Sequence, residues 1–509
     1  MSPLKLIDSL VDSITMYRLM LYYLIGLVLA AIGLGVAGDL RYDPVAIAGS
    51  ALILIAACWS INKMFALIFE APTNTESSLI TALILALIIT PDLSKLGITF
   101  VLAASGLAMA SKYVLAINRK HIFNPAAIAV FLTALGPGQT ASWWISSSVM
   151  LPFVLVGGIL MARKLRDMVL LSGFFIFTTV ATVVWALPSG GQIGPTLQHT
   201  IASSPMFFLG FVMLTEPMTS PTTTRLKIIY GAIVGALLPP PAHLLGYYTS
   251  PELALVVGNV FAYIVSPKKK LFPKLKQKVR VAANTIDFVF ESGGPLKYRP
   301  GQYIEMTLPH THTDSRGDRR YFTLASSPTE QDIHIGVKFY NPGSSFKQAM
   351  QAMDQTSQSV IARVSGEFTL PKSAEQKIVF IAGGIGITPF RSMTKYLIDT
   401  DDKRDVVLLY GAQQWHDVAY VPLFDEARQR LGMKTVYALS DQPASERVPR
   451  TYEPTRVTEQ LLRREVPDFQ ERVFYISGTH AMVTDVKQIL RGLGVPAHRT
   501  KTDFFPGYS

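Results

Sequence analysis

The chain has 509 residues, 49% hydrophobic and only 16% charged, with a formal net charge of +11 and a mean hydropathy of +0.30. That length exceeds one core, so at least two domains are expected. The single cysteine, Cys58, excludes an internal disulfide and any zinc or iron–sulfur centre built from several thiolates. Its place in an apolar run reads as a small buried hydrophobe.

The composition divides near Pro267: long apolar runs precede it and an ordinary globular composition follows. The first fifteen residues mix Lys5, Asp8 and Asp12 with serines, so no cleaved leader is expected. A hydrocarbon core about 30 Å thick needs about 20 apolar residues per helix, fewer where helices are broken. Ten spans are read near 16–38, 44–66, 77–91, 97–117, 123–136, 143–162, 168–187, 203–216, 226–240 and 250–266. Arg119, Lys120, Arg163, Lys164, Arg166, Arg225, Lys227 and Lys268-Lys269-Lys270 follow even-numbered spans. The opposite loops, Gly136–Ser142, Pro188–Thr200 and Pro239–Thr249, carry no Lys or Arg. The positive-inside rule then makes the protein a multi-pass protein of the cell inner membrane with both termini cytoplasmic. Basic residues placed this way set topology, and no nucleic-acid partner is expected.

Ten spans with both ends inside can be two inverted halves of five. The third and eighth spans correspond, and both are short and flanked by Thr-rich polar stretches, Ala71–Ser78 and Thr215–Thr224. Paired interrupted spans point to a site near the midplane, although capped short helices would look the same. Asn124-Pro125 reads as a helix start, with Asn as the cap and Pro at the first position. His121, His199 and His243 are the only histidines of this half and are read at span ends or in loops, which disfavours intramembrane haem pairs.

Lys120-His-Ile-Phe-Asn-Pro-Ala-Ala127, Met213-Leu-Thr-Glu-Pro-Met218 and Lys227-Ile-Ile-Tyr-Gly-Ala-Ile-Val-Gly235 resemble the B subunit of the sodium-pumping NADH:quinone oxidoreductase and the D subunit of the Rnf complex. The resemblance covers nearly all of the first 266 residues. It implies a ten-helix transmembrane bundle with inverted repeats that carries flavin. Asn124 and Pro125 would lie beside it, and Thr215 and Glu216, with Pro217, would form the broken segment of the second repeat. The family attaches FMN through a Ser/Thr-Gly-Ala-Thr motif that this chain lacks, the nearest stretch being Gly138–Ser142. The second flavin, FMN or riboflavin, is therefore expected to be non-covalent.

After Pro267 a basic stretch, 267–278, reads as a linker that anchors to anionic headgroups of the lipid bilayer. Short strands with Gly/Pro turns follow: Val279–Ala283, Thr285–Glu291, Gln302–Leu308, Tyr321–Ala325, Ile333–Lys338 and Ser359–Val364. They predict a small antiparallel β-barrel over 279–372. Buried strands at Lys377–Ala382, Val406–Tyr410, Lys434–Ala438 and Val473–Ser477 then alternate with helical stretches, which predicts a doubly wound α/β nucleotide-binding domain over 373–509.

Arg320-Tyr321-Phe322-Thr323-Leu-Ala-Ser-Ser327 resembles the FAD signature of the ferredoxin–NADP reductase superfamily, supported by Arg299-Pro-Gly-Gln-Tyr303 and Gly343-Ser344-Ser345. The resemblance implies Arg320 at the FAD pyrophosphate, Phe322 (usually Tyr) against the isoalloxazine and Thr323 at its N5 edge. Gly343, Ser344 and Ser345 would meet the phosphates. Ala382-Gly383-Gly384-Ile-Gly386-Ile-Thr388-Pro389, after a strand and before a helix, suits a dinucleotide phosphate. Ser477, where the family often has Cys, Gly478 and Met482 would line the nicotinamide cleft, with Thr323 and Ser477 nearest the chemistry. Tyr508 would cover the flavin. Gln413 and Gln414 lean towards NADH, while Arg447, Arg450 and Arg456 leave NADPH open.

The combined expectation is a membrane flavoprotein that takes hydride from cytoplasmic NADH or NADPH onto FAD. Electrons would pass through a membrane flavin to an extracytoplasmic flavoprotein or quinone acceptor. The alternative is an ion (Na+/H+) or solute transporter driven by NAD(P)H oxidation, with Glu216 on a cation path.

Overall fold

The computed structural model describes residues 14–69, 75–117, 120–136, 139–165, 167–187, 192–239, 242–244, 247–266, 271–294, 296–311, 313–314, 317–340, 343–441, 448 and 452–505. The chain divides into two compact units, Met1–Lys269 and Lys270–Ser509.

The first unit is helical. Its segments are α1 (Met16–Ala37), α2 (Pro44–Ile68), α3 (Thr75–Ile88), α4 (Lys95–Val114), α5 (Pro125–Leu135), α6 (Leu151–Leu165), α7 (Met168–Ala186), α8 (Ile193–Ser203), α9 (Thr224–Leu237) and α10 (Pro251–Val265). α1, α2, α4 and α7 are long and apolar enough to cross a membrane, and α8 with its continuation Met206–Leu214 qualifies as a pair bent by 51°. α3, α5 and α10 are shorter apolar helices. Large apolar side chains such as Leu29, Leu52 and Val184 are more than half exposed on α1, α2 and α7, a surface suited to hydrocarbon. Cys58 is fully buried in α2.

Packing repeats along the chain: α2 lies on α4 and α7 on α9, while α1 packs on α6 and α5 on α10. Small residues permit the α7–α9 contact, since a Cβ on Gly231 would stand 2.8 Å from the Leu170 carbonyl oxygen and one on Gly235 2.7 Å from that of Phe174. Two features depart from the sequence reading. The stretch read as a loop around His199 is helix α8, so that histidine lies on a helix. The eighth span meets α8 at the 51° bend between Ser203 and Met206, and its Leu209–Leu214 stretch adopts a π conformation that ends at Thr215.

The second unit opens with two antiparallel sheets. One holds β1 (Lys274–Ala282), β2 (Thr285–Glu291) and β5 (Asp332–Lys338) in the order β1-β2-β5; the other holds β3 (Tyr303–Thr307), β4 (Arg319–Thr323) and β6 (Val360–Ser365) in the order β6-β3-β4. β1 begins at Lys274, inside the stretch read as linker. Its basic residues disguise a strand whose Leu275 is buried and which pairs along β2. Helix α11 (Ser345–Ala352) packs Phe346 and Met350 into the barrel core.

A six-stranded parallel sheet follows: β7 (Ile378–Gly383), β8 (Val406–Ala412), β9 (Lys434–Leu439), β10 (Tyr452–Glu453), β11 (Val473–Thr479) and β12 (Thr500–Phe505), in the order β10-β9-β8-β7-β11-β12. Apolar side chains cover both of its faces, Phe380 and Tyr475 on one and Ile381 and Phe474 on the other, as a parallel sheet requires. The strand order reverses between β7 and β11, which makes the crevice at their carboxyl ends the switch point. Thr500–Phe505 form the edge strand β12, an element that the sequence reading did not assign.

Barrel and sheet are locked by α12 (Thr388–Asp399). Arg391 forks onto both oxygens of Glu330, at 2.9 Å for Nη2–Oε1 and closely for Nη1–Oε2, and Nη1 also donates to the Ala325 carbonyl at 3.0 Å. Ser392 Oγ donates to the Ser326 carbonyl at 2.5 Å. Both ionic partners are largely buried, with side chains 11% and 16% exposed. Removing one member of a buried pair strands the other. Arg391→Ala is therefore expected to destabilise the second unit by about 3 kcal/mol, measured by urea unfolding of the full chain followed by tyrosine and tryptophan fluorescence.

Candidate functional site

The residues read from sequence as functional fall into two places, one in each unit. In the second unit the glycine turn follows β7 directly. Gly384 takes φ +52, a conformation few side chains tolerate. A Cβ on Gly386 would stand 2.3 Å from the Ser477 carbonyl oxygen and 2.7 Å from Gly478 N, and one on Gly383 2.1 Å from Met482 Sδ. Gly383, Gly386, Ser477, Gly478 and Met482 thus meet at the switch point, with Thr388 and Pro389 opening α12 beside them. Ser477 is fully buried and its Oγ has no hydrogen-bond partner among the described residues, an unmet polar group of the kind a bound amide satisfies. The cradle therefore fits a nicotinamide nucleotide. Tyr410 OH closes its rear, donating to the Gly384 carbonyl at 3.3 Å.

Along β4 the side chains alternate, so Arg320 and Phe322 share one face. Both meet Phe346 of α11: the Arg320 guanidinium carbon lies 5.2 Å from that ring's centroid and the Phe322 ring 5.7 Å from it. Ser344 caps α11 by accepting from Lys347 N, and Ser345 Oγ accepts from Asp314 N at 2.9 Å and lies 3.1 Å from His310 Nε2. Arg320, Phe322 and the Gly343–Ser345 turn are thereby gathered around one helix start, a fitting seat for a pyrophosphate. Arg320 is occupied by Asp314, at 3.2 Å. Tyr321 points to the other face, half exposed, with its hydroxyl 3.1 Å from Glu305 Oε2. Thr323 is buried at the end of β4, paired in register with Tyr303. Gly301 has φ +91, and a Cβ there would stand 2.4 Å from Met393 of α12, so the bend before β3 is possible only for glycine. Tyr508 lies outside the described residues.

Sequence reasoning missed the polar cluster beside this cleft. His334 Nδ1 lies 2.8 Å from Asp287 Oδ2, and a Cβ on Gly336 would stand 2.5 Å from Tyr420 OH and 2.8 Å from the Thr388 methyl. Tyr420 is buried with φ +61, and burial pushes its hydroxyl well above the usual phenol range. These residues belong to no contiguous motif. The left-handed Tyr420 before Val421-Pro422 carried no signal in the chain.

In the first unit Asn124, Pro125, Thr215 and Glu216 line one cleft of about 540 Å³, together with residues of α1, α3 and α6 such as Tyr17, Ser77 and Met161. Asn124 holds it together: its Oδ1 accepts from Ala126 N and Ala127 N as the α5 cap, and its Nδ2 donates to Glu216 Oε2 at 2.9 Å. Its backbone N–H donates to Asn259 Oδ1 of α10 at 2.9 Å, and Asn259 Nδ2 donates to Tyr230 OH at 3.0 Å. Glu216 also receives Thr219 Oγ1 at 3.3 Å and faces His121 Nε2 at 3.2 Å. Thr215 Oγ1 returns to the Phe211 carbonyl and ends the π segment. The lining is mixed, with Met16, Ile80 and Val212 beside Tyr17, Asn124 and Glu216, and the cleft is open to solvent. His121, Asn259 and Tyr230 escaped the sequence reading as members of this site. Only folding brings α5, α9 and α10 together.

Residues 380–488 match the family described as "Oxidoreductase NAD-binding domain". The chain is 28% identical over 247 residues to a flavohemoprotein of Rhodopirellula baltica, covering 45% of this chain and 59% of that protein. It is 24% identical over 222 residues to the glycine betaine monooxygenase reductase subunit of Chromohalobacter salexigens, covering 42% and 60%. The chain thus spans roughly three fifths of these relatives' length. Among solved structures, the flavohem-like FAD/NAD-binding domain of nitric oxide dioxygenase from Vibrio cholerae aligns with TM-score 0.40 and 20% identity, covering 46% of this chain and 98% of that one. The C-terminal half is therefore similar to the oxidoreductase NAD-binding domain and to flavohemoprotein and monooxygenase-reductase chains.

The close approach at Gly386 gives a direct expectation. Gly386→Ala forces apart β11 and the glycine turn and lowers affinity for NAD(P)H at least about tenfold while FAD stays bound; titration of the flavin absorbance with an NAD+ analogue checks it.

Proposed function

We propose that the protein is a membrane flavoprotein oxidoreductase that transfers electrons from cytoplasmic NADH or NADPH to an acceptor at or beyond the bilayer. The observation that carries this is the convergence of Asn124, Pro125, Thr215 and Glu216 on one cleft, in a chain whose other unit holds a nucleotide cradle. The ten helical segments among the described residues, packed in corresponding pairs, support two five-helix halves, and four of them with one bent pair are long and apolar enough to cross a membrane. The relatives are named as flavohemoproteins and monooxygenase reductase subunits, all suited to a hydride-accepting half.

In this reading Gly383, Gly384 and Gly386 admit the dinucleotide backbone, and the start of α12 stabilises its phosphate charge. Ser477 Oγ hydrogen-bonds the nicotinamide and fixes its face. Thr323 positions the flavin edge, with Phe322 against the ring and Arg320 turning from Asp314 to the pyrophosphate. FAD, when bound, accepts a hydride and releases electrons singly, chemistry that belongs to the cofactor. Asn124 and Glu216 hold the polar rim of a second flavin, FMN or riboflavin, seated without a covalent bond. The acceptor is an extracytoplasmic flavoprotein or a quinone.

A second reading is redox-driven transport of Na+ or H+, favoured by one observation, the Glu216 carboxylate at a helix break. It predicts that NADH oxidation by the reconstituted protein depends on sodium or on a proton gradient.

The test is the flavin inventory of the purified protein, by denaturation, extraction and mass analysis. FAD with a second, extractable flavin is expected, and FAD alone at one per chain overturns the flavin path. In stopped-flow traces Thr323→Ala slows reduction of FAD by NAD(P)H about tenfold or more. Asn124→Ala instead lowers transfer out of FAD relative to that first step, and wild-type transfer would remove it from the path.

A further inference from the structure

Two clefts meet at one ion pair in the helical unit. The first, of about 300 Å³, is lined by Lys120 and His121 of the hairpin after α4, by Met218 and Thr219, and by Tyr263 and Ser266 at the end of α10. The second is the 540 Å³ cleft that Asn124, Thr215 and Glu216 line. His121 lines only the first and Glu216 only the second, and His121 Nε2 stands 3.2 Å from Glu216 Oε1. The carboxylate is aimed: Asn124 Nδ2 and Thr219 Oγ1 both donate to Oε2, leaving Oε1 to the imidazole. The two side chains are 14% and 22% exposed, so neither is freely solvated.

We propose that His121 and Glu216 form a proton relay that carries protons from the first cleft to the redox carrier in the second. This rests on the reading that the second cleft holds a two-electron carrier. The proton balance gives such a relay its role. Oxidation of NAD(P)H gives NAD(P)+, two electrons and one proton, whereas reduction of a quinone or a flavin to its neutral hydroquinone takes two electrons and two protons. Those protons must reach a carrier walled by Met16, Met20, Ile80, Ile84, Met161 and Val212. In each transfer the His121 Nε2–H bond breaks as Glu216 Oε1–H forms. That O–H bond then breaks towards the carrier, and His121 regains its proton from water in the first cleft. A positioned acid of this kind contributes about 10²–10⁴-fold.

Other charged and titratable groups face the pair. Lys112 of α4 donates to Ser77 Oγ and its carbonyl at 3.2 and 3.1 Å, and lies near enough for its charge to act on Glu216. Lys120 adjoins His121 in the first cleft with Tyr263, while Tyr230 of α9 approaches through Asn259 and Tyr17 of α1 lines the second. Arg18 and Glu76, on α1 and α3, are paired with each other at 2.9 Å. None of these bridges the two clefts as His121–Glu216 does.

The test uses the full-length protein with its flavins, in anionic-lipid vesicles, with FAD reduction and onward transfer resolved in the same stopped-flow traces. In wild type, onward transfer is expected to slow about twofold in D2O and to fall as pH rises and the supply of protons in the first cleft declines. Glu216→Gln and His121→Gln are each expected to lower the ratio of onward transfer to FAD reduction at least about tenfold and to flatten that pH profile. Glu216→Asp should restore the profile at reduced rate. Extraction of each variant measures the second flavin independently of turnover. A wild-type pH profile and isotope effect in Glu216→Gln or His121→Gln, with the flavin retained, overturns the relay. Loss of the flavin from both Glu216→Gln and Glu216→Asp overturns it in favour of a binding role. A wild-type protein without any second carrier overturns the reading on which the relay rests, and the relay with it.

Discussion

The fork between Arg391 and Glu330 is the constraint on which the second unit depends. It ties the helix that follows the glycine turn to the loop that follows the Arg320–Thr323 strand. A nucleotide fold and a barrel with separate cores could otherwise hinge, and hydride transfer does not survive a displacement of an ångström or so. The fork is supported by Ser392 on Ser326 and by Thr388 against Gly336, so the first turns of α12 are fixed to the barrel at several points. Because Arg391 donates two parallel bonds to one carboxylate and a third bond to Ala325, orientation is set as well as distance. A lysine would supply the charge without the plane.

The helical unit meets the same problem with different chemistry. Its breaks at Asn124-Pro125 and Thr215-Glu216-Pro217 free backbone groups that lipid cannot satisfy. Asn124 spends both ends of its amide on this, capping α5 with Oδ1 and holding Glu216 with Nδ2. Asn259 reaches from α10 to the Asn124 backbone, so three helices share one polar knot. Leaving an ionisable side chain there is costly unless it is fully paired. The knot supplies that pairing while turning one oxygen towards His121.

Much of this was legible in the chain because contiguous motifs mark close backbone approach. Gly383, Gly386 and Gly301 stand where a Cβ would collide, and their spacing after a strand or before a bend carries that information. The strands β7, β8, β9 and β11 were readable because continuous apolar runs alternate with helical stretches. β1 was not fully legible: Lys274, Lys276 and Lys278 obscure the alternation, and strand pairing with β2 supplies what the side chains do not advertise. The bend after α8 escaped for a related reason. Ile193–Ser203 is polar enough to read as a loop, and its helix is set by packing on α7. The Asp287–His334–Tyr420 cluster and the His121–Glu216 pair join residues tens of positions apart, with no local pattern to betray them.

One consequence concerns how the halves divide the work. Within this chain one thiolate, Cys58, is buried in α2 and builds no iron–sulfur relay. On the proposed reading, electrons leaving FAD pass to a flavin, to a quinone or to a partner protein, and each of the first two couples electrons to protons. A helical unit that only anchored the reductase would have no use for a carboxylate at a helix break. It would have no use either for a second cleft opening onto its imidazole partner. That polarity is expensive in an apolar bundle, and a proton-coupled carrier at the junction gives it a purpose.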